Sequence, residues 1–266
     1  MKKLLTFLFI AASIAAADTR PNIVVFLADD MGWGDSGCYG SKKILTPNID
    51  KLATQGVRFT QCYAACGVCS PSRSSILTGR TPYRNGVWRH LSGNNEAHLR
   101  RSEITYPSLL KKAGYQTCHV GKWYLNSKDQ FNTAEYPQPG DHGYDYWMAT
   151  HNNAEPSHRN PNNFVRNGEP VGELTGYSAL LVAAEAISWL EKKRDPKAPF
   201  ALSIWVRRTK YSKSGTLSKK KARASGGKIE KNVPRPEPSF PTDLSLHLCH
   251  ECGCGDSIWY FATLLP

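Results

Sequence analysis

The stretch "PNIVVFLADD", Pro21 to Asp30, is a nearly continuous apolar run that stops at two adjacent aspartates. Alternating polar and apolar residues would mark a strand with one wet face, whereas an unbroken run marks a strand covered on both faces, as in a parallel sheet. Behind it comes "TPNIDKLATQG", Thr46 to Gly56, with a threonine cap, a proline in the first turn and a glycine stop, the punctuation of a helix. Strand followed by helix opens an α/β order.

The order continues. "VRFTQCYA" (Val57 to Ala64) predicts a second strand, "PSRSSILTG" a short helix, "YPSLLKKAG" (Tyr106 to Gly114) a capped helix and "YQTCHVGKW" (Tyr115 to Trp123) another strand. Farther on, Leu180, Ala183, Ala184, Ile187 and Leu190 recur at helical spacing, and "PFALSIWV" (Pro199 to Val206) reads as a strand. The expected fold class is therefore α/β, a mostly parallel sheet with helices on both faces. No internal repeat is visible.

In such folds ligands bind beyond the carboxyl ends of the strands. The first strand delivers Asp29 and Asp30 to that place. Adjacent carboxylates repel unless a cation or a basic group compensates, and hard oxygen donors suit Ca²⁺ or Mg²⁺. On this ground alone a metal pair and two solvated loop acids are equally open. Asp35 reads as structural.

The chain has 266 residues and 40% hydrophobic composition, enough for a sizeable core. Residues 1–17, "MKKLLTFLFIAASIAAA", pair two lysines with an apolar run too short to span a bilayer and end in small residues. They read as a signal peptide, which predicts a periplasmic or secreted protein without a membrane span. The eight cysteines fall unevenly, unlike a small disulfide scaffold, and "CHECGC" has no second ligand pair at zinc-finger spacing. The net charge of +12 is concentrated: residues 207–235 hold eleven Lys or Arg and one acid, so 11 − 1 = +10 comes from this segment. The rest of the chain is nearly balanced, so no nucleic-acid face is expected. Residues 207–266 read as a basic tail, and its stretch rich in Ser, Lys, Gly and Pro has no apolar period and is not expected to pack.

"CSPSRSSILTGR", Cys69 to Arg80, together with "ADDMGWGD" and "GKW", resembles the type I sulfatases over about Pro21 to Val206. The resemblance implies an alkaline-phosphatase-like fold, of which residues 18–206 would be the N-terminal catalytic half. It implies that a maturation enzyme oxidises Cys69 to formylglycine, whose hydrate attacks the sulfur of a sulfate ester and then collapses to release sulfate. A metal, Ca²⁺ or else Mg²⁺, would sit at Asp29, Asp30 and residue 69. Arg73, one helical turn on, would hold the hydrate and offset the carboxylates, and Lys122 would grip a sulfate oxygen. His151 stands where the family commonly has a histidine that contacts the sulfate or protonates the leaving alcohol, with His158 as its rival. Tyr144, Tyr146 and Trp147 either line a substrate cleft or pack in the core. His119 reads as packed.

Two departures stand out. Tyr124 occupies a position where many sulfatases have histidine, and the Asp-Asn pair that completes the family's metal site does not occur. A change of reading frame near Val206 or Arg207 would explain the basic tail, the late cysteines and the missing ligands together. The implied substrate is a sulfated small molecule or polysaccharide. The alternatives are a non-catalytic sulfatase fragment whose tail binds polyanions, and a phosphodiesterase or phosphonate hydrolase of the same superfamily.

Overall fold

The computed structural model describes residues 20–92, 96–207 and 258–265. Seven strands form one sheet in the order β5-β4-β3-β2-β6-β1-β7. They are β1 (Asn22–Asp29), β2 (Gln116–Lys122), β3 (Tyr146–Thr150), β4 (Val165–Arg166), β5 (Glu169–Pro170), β6 (Phe200–Arg207) and β7 (Ile258–Leu265). The central run β3-β2-β6-β1 is parallel, and both edges are antiparallel. The helices are α1 (Pro47–Gln55), α2 (Cys69–Thr78), α3 (Pro82–Asn85), α4 (Tyr106–Lys112) and α5 (Ser178–Lys192).

Residue parity along the strands shows how both faces are covered, because successive side chains of a strand point to opposite sides. Val24, Val120, Met148, Leu202 and Ile204 pack with Val182, Ala186 and Trp189 of α5. Phe26 and Ala28, on the same side of β1, pack with Ile49 and Leu52 of α1. Leu27, Trp147, Ala149 and Trp205 point the other way and pack with Cys69 and Leu77 of α2. Helices therefore lie on both faces, as the continuous apolar run of β1 requires.

The structure corrects two expectations. Val57 to Ala64 forms no strand. Phe59 instead packs with Tyr39 and Ile49, and its carbonyl accepts the Tyr39 hydroxyl at 2.7 Å in place of a ladder bond. The α5 helix forms where expected but buries a different stripe: Val182, Ala186 and Trp189 face the sheet, while Leu180 and Ile187 are 68% and 53% exposed. Apolar residues surround this helix, so spacing alone does not choose a face, and burying the large Trp189 surface decides it. Residues 258–265, in the region read as a tail, form β7 against β1; "IWYFATLL" is rich in the aromatic and branched residues that favour strands. The signal-peptide segment, the basic stretch and the late cysteines lie outside the described residues.

Candidate active site

The carboxyl ends of the four parallel strands converge on one edge of the sheet. β1 ends at Asp29, β2 at Lys122, β3 at Thr150 just before His151, and β6 beyond Trp205. The registers hold Lys122 beside Thr150 and Gly121 beside Trp205. From the adjoining layer, α2 brings its first residue, Cys69, to the same edge.

Asp29 is the hub. Its Oδ2 accepts a hydrogen bond from Lys122 Nζ at 2.7 Å, and its Oδ1 lies 3.2 Å from Arg73 Nη2 and 3.4 Å from Cys69 Sγ. Asp29 and Arg73 are fully buried and Lys122 almost so. Burial alone would push the Asp29 carboxyl up, but the Arg73 guanidinium and Lys122 ammonium outweigh it and hold the carboxyl far below the usual range. Arg73 also donates to the Lys122 carbonyl at 3.0 Å and lies over the Trp205 ring at 4.9 Å. The expected reach-back of Arg73 therefore ends on the carboxylate of Asp29, the charge-offsetting half of its implied role. Lys122, expected to hold a sulfate oxygen, is likewise paired with Asp29.

Successive strand residues would send Asp29 and Asp30 to opposite faces. Asp30 escapes this by adopting the left-handed region, φ 61°, where a non-glycine residue is strained. As a result one ligand atom each from Asp29, Asp30 and Cys69 lie within 4.8 Å of one another, a group that could hold a metal ion. Two carboxylates on a strained turn fit one side of a hard-cation site. Formally, Asp29 and Asp30 are balanced by Arg73 and Lys122, so a bound divalent cation would leave the cluster at +2, suited to an anionic ester. Asp35 accepts a hydrogen bond from Gly32 N at 2.9 Å and serves the turn.

Burial, followed by the Asp29 charge, pushes the Cys69 thiol up. A thiol in that state is a poor thiolate nucleophile.

His151 is brought to the site's flank but not as an obvious proton donor. Its Nε2 lies 2.9 Å from the Asn126 carbonyl, an acceptor, so Nε2 carries the proton and Nδ1 keeps a lone pair. Burial, with Lys122 and Lys128 assisting, lowers its pKa to about 4. At neutral pH the ring is uncharged and suited to accepting or positioning. His158 bonds Ser178 Oγ at 2.8 Å and lines a small cleft with Lys122, Thr150 and Asn152. Tyr144 and Trp147 are buried in the core, and Tyr146 bonds Glu185 of α5, so core packing is their role. His119 is fully buried between Trp123, Tyr144 and Trp205, as expected.

Sequence reasoning missed two neighbours. Trp205 forms the floor under Arg73, and His90 bonds the Tyr124 hydroxyl through Nδ1 at 2.7 Å. The apolar context of "PFALSIWV" and the unremarked loop "GVWRH" gave neither a chemical signal.

Residues 21–213 match the family model described as Sulfatase. The chain belongs to the sulfatase family. The match ends seven residues beyond Val206. The chain is 45% identical to human steryl-sulfatase over 152 residues, covering 55% of this chain and 26% of that one. Against Mus musculus N-acetylgalactosamine-6-sulfatase the identity is 36% over 211 residues, covering 71% and 39%. A solved structure in complex with its substrate D-glucosamine-2-N,6-O-disulfate superposes with a TM-score of 0.58 at 31% identity, covering 73% of this chain and 35% of that one. These neighbours carry the alkaline-phosphatase-like fold expected of the family, and this chain spans well under half the length of each.

Proposed function

We propose that this sulfatase-family protein hydrolyses sulfate esters at the cluster formed by Asp29, Asp30, residue 69, Arg73 and Lys122. The observation that supports this most directly is the approach of Asp29, Asp30 and Cys69 to within 4.8 Å at the strand ends. Asp29, Asp30 and residue 69 would hold a divalent cation, Ca²⁺ or Mg²⁺, which would polarise sulfate oxygens. With Cys69 converted to formylglycine by a maturation enzyme, the aldehyde hydrate would supply the nucleophilic oxygen and a second hydroxyl whose deprotonation expels sulfate.

The chain's own residues set up the rest. Arg73 is fixed by Asp29, the Lys122 carbonyl and Trp205, so its charge needs no reorganisation when negative charge develops on the ester. Lys122 can exchange its contact with Asp29 for a sulfate oxygen once a cation balances that carboxylate. Trp205, Leu27 and Leu77 exclude water from beneath the cluster. His151, uncharged and anchored through Nε2, positions substrate or accepts a proton at Nδ1. The substrate class is a sulfated small molecule or polysaccharide. The leader-like N-terminus favours a periplasmic or secreted location, and among the described residues no helix is long and apolar enough to cross a membrane.

The test is mass spectrometry of the residue 69 peptide, after co-expression with a formylglycine-generating enzyme, alongside sulfate release from an aryl sulfate. Aldehyde at residue 69, turnover lost on chelation and turnover abolished in Cys69→Ala are expected. Aldehyde without turnover in the presence of calcium would favour the non-catalytic fragment. Turnover of a phosphodiester in preference to the aryl sulfate would favour the phosphodiesterase alternative.

A further inference from the structure

We propose that Arg80, Arg84 and Arg100, gathered around the buried carboxylate of Glu103, bind a second anionic group of the substrate, which makes that substrate a polysaccharide carrying several negative charges. The inference rests on the sulfate-ester reading above and names its substrate class.

The charge pattern along the chain points to this region. From residue 51 to residue 95 there is no aspartate or glutamate, while six lysines and arginines occur, three of them, Arg80, Arg84 and Arg89, soon after α2. The fold then gathers two of these with a third from another segment. Gly79, with φ 64°, closes α2 and releases the chain into α3. Asn85, at the end of α3, locks that helix onto α2 by donating to Ser74 Oγ at 3.0 Å and Thr78 Oγ1 at 3.3 Å. Arg80 Nη1 lies 2.7 Å from Glu103 Oε2, and Arg100 Nη2 lies 2.6 Å from Glu103 Oε1 and 3.3 Å from the Arg84 carbonyl.

One carboxylate therefore serves two guanidiniums. The Glu103 side chain is 3% exposed, whereas those of Arg80 and Arg100 are 42% and 54% exposed. The nearby acid Asp141 is taken by Arg101 at 3.0 Å. Arg84 is exposed, and among the described residues its side chain makes no hydrogen bond or ion pair. Three guanidiniums against one carboxylate leave two positive charges uncompensated at the surface. Glu103 holds Arg80 and Arg100 through one terminal nitrogen each, so their other N–H groups remain for an anion and little side-chain freedom is left to lose on binding. The planar fork suits a sulfate or carboxylate group. Tyr83, beside Arg84, is 82% exposed and offers a flat apolar face to the C–H side of a sugar ring.

The position of the patch decides the substrate class. Measured along the ten residues of α2, at about 1.5 Å each, the patch lies about 15 Å from residue 69. From the other side, Leu99, next to Arg100, donates to the Leu125 carbonyl at 2.8 Å, and Leu125 stands three residues, at most about 11 Å, beyond Lys122. A small ester held at the strand-end cluster does not reach this patch. A polysaccharide does, with one sulfate at the cluster and another anionic group on the arginines.

The test uses the full chain and a short dextran sulfate oligosaccharide, with unsulfated dextran and polyglutamate as controls. Modification by phenylglyoxal, read by peptide mass spectrometry, follows each arginine separately, so the basic stretch at 207–235 does not obscure the result. Dextran sulfate is expected to protect Arg80, Arg84 and Arg100, and neither control is. In Arg84→Gln the concentration that protects Arg80 and Arg100 should rise about fivefold, the upper end for an exposed ion pair. Its thermal melt and its turnover of a small aryl sulfate should match the wild type. Arginines left unprotected, or a titration unmoved in Arg84→Gln, overturn the proposal, and aryl sulfate turnover by the same protein leaves the sulfatase reading standing. Equal protection by polyglutamate overturns the saccharide assignment. Protection of the three arginines without turnover of any sulfate ester overturns the sulfatase reading and leaves the patch as a saccharide-binding site.

Discussion

Replacing Arg73 by methionine removes the guanidinium but keeps most of the side chain's bulk, so the effect isolates charge. Arg73 and Asp29 are both fully buried and 3.2 Å apart, and after the change Asp29 keeps only Lys122 as a cationic partner. Removing one member of a buried pair costs about 3–5 kcal/mol. Proton uptake caps the cost, because keeping a carboxyl of ordinary pKa near 3.9 neutral at pH 7 costs about 1.36 × 3.1, or ~4 kcal/mol. The expected loss is therefore about 3–4 kcal/mol at pH 7, read from urea unfolding followed by tryptophan fluorescence. The pH dependence supplies the sharper check. In the wild type the Asp29 carboxyl lies far below its ordinary range, so its stabilisation is complete above the unfolded pKa and is lost as pH falls toward the folded value. In Arg73→Met the folded carboxyl binds protons more readily, so acidification costs the variant less. The gap between the two proteins should narrow from pH 7 to pH 4. A loss below about 1 kcal/mol at pH 7, or a gap indifferent to pH, would refute the account of Asp29 as a charge held by two buried cations.

Two further outcomes follow from the same region. Gly121→Ala puts a Cβ 2.0 Å from the Trp205 carbonyl at a position with φ 113°, so β2 can no longer approach β6; a loss of at least about 3 kcal/mol, or failure to fold, is expected in denaturant titrations. Burial lowers His119 to about 3, a folded value below the unfolded one, so its neutral form is favoured in the fold and stability is lost as pH falls from about 6.5. His119→Phe should therefore remove about 2 kcal/mol of the wild-type loss between pH 7 and pH 5, and an unchanged slope would show that His119 is not the buried neutral group described.

What could be read from the sequence was what neighbours along the chain encode. Asp29 and Asp30 announce themselves because an apolar strand stops at them, whereas Cys69 and Arg73, at the start of α2, were legible through the resemblance of their motif to the sulfatases. Lys122 was legible for the same reason, at the end of β2. The partners of these residues were not legible, because packing between distant segments creates them. Trp205 comes under Arg73 only because β6 inserts between β1 and β2, and nothing in "PFALSIWV" distinguishes a floor for a guanidinium from any other core tryptophan. His90 reaches Tyr124 only because the loop after α3 folds back on Ser70. The misread face of α5 and the lost strand at Val57 to Ala64 have one cause: apolar spacing states that a surface can be buried, while the neighbour that buries it is chosen by the rest of the fold. The role given to Arg73 shows the consequence for chemistry. Its place in the motif sets it one turn after Cys69, yet the atom it pairs with, Asp29 Oδ1, lies forty-four residues earlier, and only the closed sheet edge turns a helical spacing into a buried ion pair.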